Sequence, residues 1–139
     1  MKLEQQVVSL ELAKQLKELG VKQESLWWWR LYSDGTGGMD WHLELYNNKD
    51  KDKAYDEISA YTVAELGEML PYKLDDYWYS ANNGSKELWC CWNKHSVYNH
   101  AWEDTSNANT EANARAKMLI WLIENGINIL INPKQSEER

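Results

Sequence analysis

Aromatic and charged side chains alternate in a stretch of the sequence that has the composition of a β-strand. In Leu26–Tyr32 (LWWWRLY), Trp28, Arg30 and Tyr32 fall on one face, because successive strand residues point to opposite sides of a sheet. Aromatic rings interleaved with a cation can bind a protein, a base or a sugar. This face is therefore the first candidate for recognition.

A second strand is predicted at Met39–Tyr46, after the turn-rich sequence SDGTGG. Its apolar residues alternate with polar ones, which predicts a hairpin whose core face carries Trp41, Leu43 and Leu45. In that hairpin the opposite face joins the residues of both strands that we predict to bind a ligand or partner: Trp28, Arg30, Tyr32, His42, Glu44 and Tyr46.

A second hairpin is predicted from Tyr72–Ser80 and Lys86–Asn93, joined through Asn83-Gly84, a pair that favours a two-residue turn. Such a turn would place Trp78 opposite Trp89. The favoured interpretation is a cross-strand pair that stabilises the hairpin, and the alternative is one half of a binding platform.

The aromatic residues are nine Trp and eight Tyr, with no Phe. Because Trp and Tyr each carry a polar atom that needs a partner, this choice suggests aromatic surfaces that are partly wet. The simpler interpretation is that a small sheet uses them as core fillers and strand formers. The tryptophans predicted to lie in the core are Trp27, Trp29, Trp41 and Trp92.

No pattern of residues predicts catalysis, a metal or a cofactor. The cysteines are adjacent in a predicted strand and so face opposite sides, and their spacing to the histidines matches no common zinc site. Paired acids such as Asp75 and Asp76 also diverge along a strand, and SDGTGG lies between strands where a phosphate loop would precede a helix. We therefore predict a protein that is not an enzyme, with no disulfide. The cysteines and histidines that do not match a zinc site are Cys90, Cys91, His95 and His100.

Composition limits the partners. With 15 basic and 22 acidic residues among 139, the net charge is -7, which opposes binding to phosphate backbones and anionic membranes but attracts basic protein surfaces. Three consecutive Trp follow the opening helix, so a helix-turn-helix with a DNA-recognition helix is not expected. With neither a secretory signal pattern nor a run of about 20 apolar residues, a cytoplasmic location is predicted.

The fold class predicted is α+β, in one domain covering 1–139 with flexible ends at 1–6 and 133–139. Helices are expected at Ser9–Leu19, from a capping box at Thr62 through Met69, and at Glu111–Asn125. With short strands expected near Ile58 and at Val97–Glu103, the antiparallel sheet would contain about five or six strands including the two hairpins. The apolar run at 127–131 is either a closing strand or a docked extension.

Three blocks of sequence carry a resemblance: SLELAKQLKELGVKQESLWWW, YTVAELGEMLP and EANARAKMLIWLIENG. Together they resemble a family of small uncharacterised proteins from phages, prophages and other mobile elements. The resemblance implies an accessory protein in a bacterial host cell that binds a host protein, including in a counter-defence role. Two alternatives stay open: a protein that binds or sequesters a nucleotide or carbohydrate, and a structural or self-associating protein.

Overall fold

A computed structural model of the protein describes residues 2–70, 78–82, 89–93 and 108–126; for 78–82 and 89–93 it describes the backbone. The described chain is α+β. Its elements, in order, are α1 (Leu3–Gln6), α2 (Leu10–Glu18), β1 (Trp27–Ser33), β2 (Met39–Leu45), a 3-10 turn (Lys51–Lys53), β3 (Asp56–Ala60), α3 (Val63–Met69), β4 (Trp78–Asn82), β5 (Trp89–Asn93) and α4 (Glu111–Glu124).

Helix α2 begins and ends at the residues that its sequence predicts. The Ser9 side chain accepts a hydrogen bond from the Leu12 amide, satisfying one amide of the first turn. At the other end Gly20 has a φ of 88°, which favours glycine, and the Val21 amide folds back to the Leu16 carbonyl. These contacts fix the exit of the chain toward β1.

The other two predicted helices are also capped by their own sequence. Thr62 and Glu65 form the reciprocal capping box of α3, with distances of 3.2 Å from the Glu65 amide to Thr62 Oγ1 and 2.9 Å from the Thr62 amide to Glu65 Oε1. Thr110 caps α4 through the Asn113 amide. The Asn113 side chain then accepts a hydrogen bond from the Ser9 amide, which joins the starts of α2 and α4.

Strands β1, β2 and β3 form an antiparallel sheet in the order β2-β1-β3. The register pairs Trp28 with Glu44 and Arg30 with His42, so the two faces of this hairpin are distributed as predicted. On its other side β1 pairs with β3, which sets Glu57 beside Arg30. The face that carries Arg30 is called the outer face below.

The core lies on the opposite face of the sheet. Trp29, Trp41 and Ile58 pack there against apolar side chains of the helices. Helix α4 is buried more widely than the apolar stripe in its sequence, which consists of Ala112, Ala116, Leu119, Ile120 and Ile123, because it contacts α2 and α3 and also β4 and β5. The additional buried residues are Ala114, Met118 and Leu122.

The prediction of one sheet with five or six strands is not confirmed. The described strands form a three-stranded sheet and a separate two-stranded ladder of β4 and β5. The predicted strand at Val97–Glu103, the run at 127–131 and the tail at 133–139 lie outside the described residues, while α1 occupies part of the predicted flexible start.

The predicted pairing of Trp78 with Trp89 is wrong. In the ladder Trp78 is opposite Asn93 and Trp89 is opposite Asn82, so six residues separate the paired ends where a two-residue turn was expected. The observed register aligns Ala81 with Cys90, whereas the tight turn would have aligned Ala81 with Lys86. The observed register moves β5 by four residues along β4 relative to the tight turn, and because the shift is even the same residues still share each face.

Candidate functional site

The outer face of the three-stranded sheet brings together the predicted recognition residues of the first hairpin. His42 and Tyr46 are exposed, and Trp28, Tyr32 and Glu44 are half-buried. Among the residues that the structure describes, the helices pack on the other face, against Ile58 and its neighbours. The outer face is therefore accessible, although not uniformly.

Arg30 lies at the centre of this face and is only 2% exposed. Its Nε donates to Glu57 Oε2 at 2.9 Å, and its Nη1 donates to Glu44 Oε1 at 3.0 Å. The same guanidinium donates to the carbonyls of Leu45 and Tyr46, at 2.9 and 3.0 Å. One side chain therefore links all three strands and the start of the loop that follows β2.

Burial of the Arg30 guanidinium acts to lower its pKa, but the hydrogen bonds to Glu57 and Glu44 outweigh that effect and leave the pKa above its usual value. The guanidinium carbon lies 5.5 Å from the centre of the Trp28 ring, within the range of a cation-π contact. These contacts occupy Arg30 within the chain. Its position indicates a structural role that shapes the outer face.

Tyr32 and Glu44 extend the network toward solvent. The Tyr32 hydroxyl donates a short hydrogen bond to Glu44 Oε1, the oxygen that also contacts Arg30. Burial first, and then this bond to a carboxylate, raise the pKa of Tyr32 to about 12. The His42 ring stands 5.7 Å from the Tyr32 ring at a tilt of 54°. The aromatic rings of this face are thus held in defined orientations.

An open cleft of about 630 Å³ lies beside Arg30, between β1, β3, the loop after β2 and the segment after α2. The Trp28 indole is fixed at its wall by a hydrogen bond of 3.0 Å to the Ser25 carbonyl. The most exposed ring is that of Tyr55, which is 68% exposed. The cleft is lined by Lys17, Gln23, Glu24, Ser25, Trp28, Arg30, Tyr46, Lys51, Asp52, Ala54, Tyr55, Asp56 and Glu57.

The cleft has four carboxylates against three cations among its lining side chains. Two of the cations are already paired, since Arg30 contacts Glu57 and Lys17 lies 3.4 Å from Asp56. Outside the lining, Arg30 also contacts Glu44 and Glu24 is paired with Lys22, so the carboxylates exceed the cations by one and the local balance is acidic. A cation, or a segment that carries one, is the chemistry that this balance attracts.

The sequence predicts Trp28, Arg30 and Tyr46 of this cleft as binding residues, but it does not predict the second wall. Tyr55 and Glu57 belong to a separate stretch of sequence, and their approach depends on β3 pairing with β1. One signal was present. Tyr55 follows the polar run NNKDKDK after a single alanine, and an aromatic side chain at that position needs a structural or binding explanation.

Trp78 and Trp89 belong to the ladder of β4 and β5 and are not part of the first hairpin sheet. Their assignment to a binding platform stays a prediction.

Within the described ranges, no group of three or more His, Cys, Asp or Glu side chains is placed to hold a metal ion. The helices described here are also too short or too polar to cross a membrane.

Comparison of the chain with models of known protein families, with curated protein sequences and with solved structures found no match. The geometry of the outer face therefore carries the functional interpretation.

Proposed function

We propose that this chain is a non-enzymatic binding protein and that its outer-face cleft receives a basic segment of a host protein. The observation that carries the proposal is the exposure of the Tyr46 and Tyr55 rings beside carboxylates on a sheet face that the described helices leave open. Aromatic rings attract Lys and Arg through their negative faces, and the carboxylates supply the matching charge.

The setting of the rings supports a preformed site. Trp28 is fixed by Ser25, and the adjoining Arg30 is held by two carboxylates and two carbonyls. A wall that is already ordered loses little conformational entropy when a partner binds. The net charge of -7 acts in the same direction, because it accelerates the approach of a basic partner.

The cleft is less suited to a nucleotide or a carbohydrate, although its volume lies in the range of small-ligand sites. Such sites are lined mostly by apolar and aromatic side chains, whereas most of the side chains that line this cleft are charged or polar. A nucleotide would also bring phosphate toward Glu24, Asp52, Asp56 and Glu57, which would repel it. A protein segment is the better match to both features.

The biological setting of the proposal comes from the resemblance of the three sequence blocks. A phage or mobile element would supply such an accessory protein in the cytoplasm of a bacterial host. Binding of a basic host factor there, including one that defends the cell by gripping nucleic acid, would be a counter-defence role. A protein of this kind acts by occupying a surface and needs no catalytic group.

Capture from a bacterial lysate tests the proposal. The tagged chain should recover a partner in stoichiometric amount, and added salt should weaken recovery because the contact is electrostatic. Tyr55→Ala removes an exposed ring, and Asp52→Asn removes one carboxylate of the cleft. Each should weaken binding of the purified partner by at least about fivefold, which corresponds to about 1 kcal/mol.

Asp40→Asn is the matched control, because Asp40 is an exposed acid of β2 outside the cleft lining. It should bind the partner as the unmodified chain does. Equal binding by Tyr55→Ala, Asp52→Asn and the control would contradict the proposal. So would an acidic partner, or a nucleotide or sugar that binds the cleft while no protein is recovered.

A further inference from the structure

The two outer strands of the three-stranded sheet, β2 and β3, differ in the hydrogen bonding of the backbone groups at their free edges. Along β3 three of the outward backbone groups have partners within the described residues. The Glu57 amide donates to Asp56 Oδ1 at 2.8 Å, and the Glu57 carbonyl accepts from Lys17 Nζ at 3.0 Å. The Ser59 amide donates to Gln23 Oε1 at 2.8 Å. These contacts protect this edge against an additional strand.

Along β2 the free edge has no partner strand among the described residues. The Asp34 amide bonds to Gly38 and the Tyr46 amide bonds to Leu26, so the even-numbered residues between them face β1 and the odd-numbered residues face outward. Within the described ranges, the outward amides and carbonyls have no backbone partner beyond β1. The residues that present them are Met39, Trp41, Leu43 and Leu45.

The same four residues leave apolar surface at this edge. Met39 and Leu45 are exposed, and Trp41 and Leu43 are half-buried on the core face of the sheet. An edge strand of seven residues with apolar side chains and one free edge is a template for strand addition. Natural sheets normally protect such an edge, as β3 is protected here.

We propose that β2 pairs antiparallel with β2 of a second copy of this chain, forming one continuous six-stranded sheet. The charges of the strand select the register. With the two-fold axis at Leu43, His42 stands opposite Glu44 of the second copy, twice by symmetry, at positions where cross-strand side chains approach most closely. Trp41 then covers Leu45 of the second copy.

The Glu44 carboxylate is held in an orientation that favours this contact. Its Oε1 accepts the bonds from Arg30 and Tyr32, while Oε2 has no partner within the described residues. The side chain of Glu44 is 13% exposed, which leaves a route for an imidazole N–H of His42 from the second copy. The pairing would therefore add a donor to a carboxylate whose orientation is already fixed.

The neighbouring registers are poorer. An axis at His42 would place Asp40 opposite Glu44, and like charges that face each other directly are destabilising. An axis at Trp41 would place Leu45 opposite Gly37, in the turn, where the exposed Leu45 side chain would gain little cover. The axis at Leu43 is the one that satisfies charge and apolar contact together.

Analytical ultracentrifugation of the full chain across a wide concentration range tests the pairing. We expect a monomer-dimer equilibrium, with slower amide exchange at Trp41, Leu43 and Leu45 in the dimer than in the diluted monomer. His42→Glu places like charges opposite each other at two symmetric positions and should raise the dimer dissociation constant about tenfold. Leu45→Lys is a second variant at an exposed position and should act in the same direction.

Asp40→Asn should leave the dissociation constant within about twofold, because Asp40 has no charged residue opposite it when the axis is at Leu43. Circular dichroism confirms that each variant folds. A chain that is monomeric at every concentration overturns the proposal, as does a dimer unaffected by both His42→Glu and Leu45→Lys. A monomer with slow exchange along β2 also overturns it, because the edge is then covered by the chain itself.

If a different protein slows amide exchange along β2 while the chain alone stays monomeric, the edge binds that protein and self-pairing is refuted. None of these outcomes depends on the cleft. Binding at the cleft is tested with Tyr55→Ala. Tyr55 lies next to β3, at the edge of the sheet opposite to β2. The two proposals can therefore fail separately.

Discussion

Replacement of Arg30 by methionine tests whether the centre of the outer face is structural. Methionine has a similar length but no charge and no hydrogen-bond donor. Arg30→Met removes the donors that serve Glu57, Glu44 and two backbone carbonyls. The variant should remain folded but be markedly less stable to urea.

The expected loss is about 3 kcal/mol. Removal of one partner of a buried ion pair costs about 3 to 5 kcal/mol, because it leaves the other charge buried without compensation. Glu44 is in that position, with its side chain 13% exposed, whereas Glu57 is 49% exposed and can regain water. The lower end of the range therefore applies. It is a large share of the roughly 5 to 15 kcal/mol that stabilises a typical domain.

Urea unfolding followed by tryptophan fluorescence measures the loss. Glu57→Gln is the matched control, since its half-exposed contact with Arg30 should be worth less than about 1 kcal/mol. Adding Glu44→Gln to Arg30→Met should restore part of the stability, because the buried charge is gone. Arg30→Met within about 0.5 kcal/mol of the unmodified chain would refute the structural role of Arg30.

Three further predictions concern other parts of the fold. Gln23→Ala should lower the free energy of unfolding by about 1 to 3 kcal/mol, because the buried Ser59 amide loses its acceptor. Thr62→Ala should cost about 1 kcal/mol through loss of the α3 cap, measured by thermal unfolding. Since the pKa of Tyr32, like that of Tyr61, is raised to about 12, the stability that these two phenols contribute should be complete below pH 10 and be lost as the pH rises from 10 through 12.

Each of these predictions has a control. Gln15→Ala, on the exposed side of α2, should be close to neutral, and an equal loss there would contradict the role given to Gln23. Thr62→Ser retains a capping hydroxyl and should restore most of the stability. Tyr32→Phe should remove one phenol from the ultraviolet titration near pH 12 and flatten the alkaline loss; an unchanged titration would contradict the assignment.

The local signals in the sequence predicted the helices well. Ser9, Thr62 and Thr110 each cap the helix that begins after them, and Gly20 ends α2, because a cap depends on only a few neighbouring residues. The alternation in β1 and β2 also predicted which residues share the outer face. It could not predict exposure, since burial of Arg30 depends on Glu57, 27 residues further along the chain.

The remaining differences come from contacts between distant segments. The burial of Ala114, Met118 and Leu122 in α4 was not predicted, because it depends on elements that approach α4 only in the folded chain. The second ladder differs from prediction at its loop, where Asn83-Gly84 suggested a tight turn. The observed register pairs Ala81 with Cys90 and so leaves six residues between the paired ends.

The guanidinium at the centre of the sheet also has a consequence for the order of folding. A shift of β2 by one residue would move Glu44 to the opposite face and leave Arg30 buried without it. The pairing of Arg30 with Glu44 spans only 14 residues of chain, so we expect this contact to form early and to disfavour an incorrectly paired hairpin. We therefore expect helix α4, which lies much later in the sequence, to dock onto a hairpin whose register is already set.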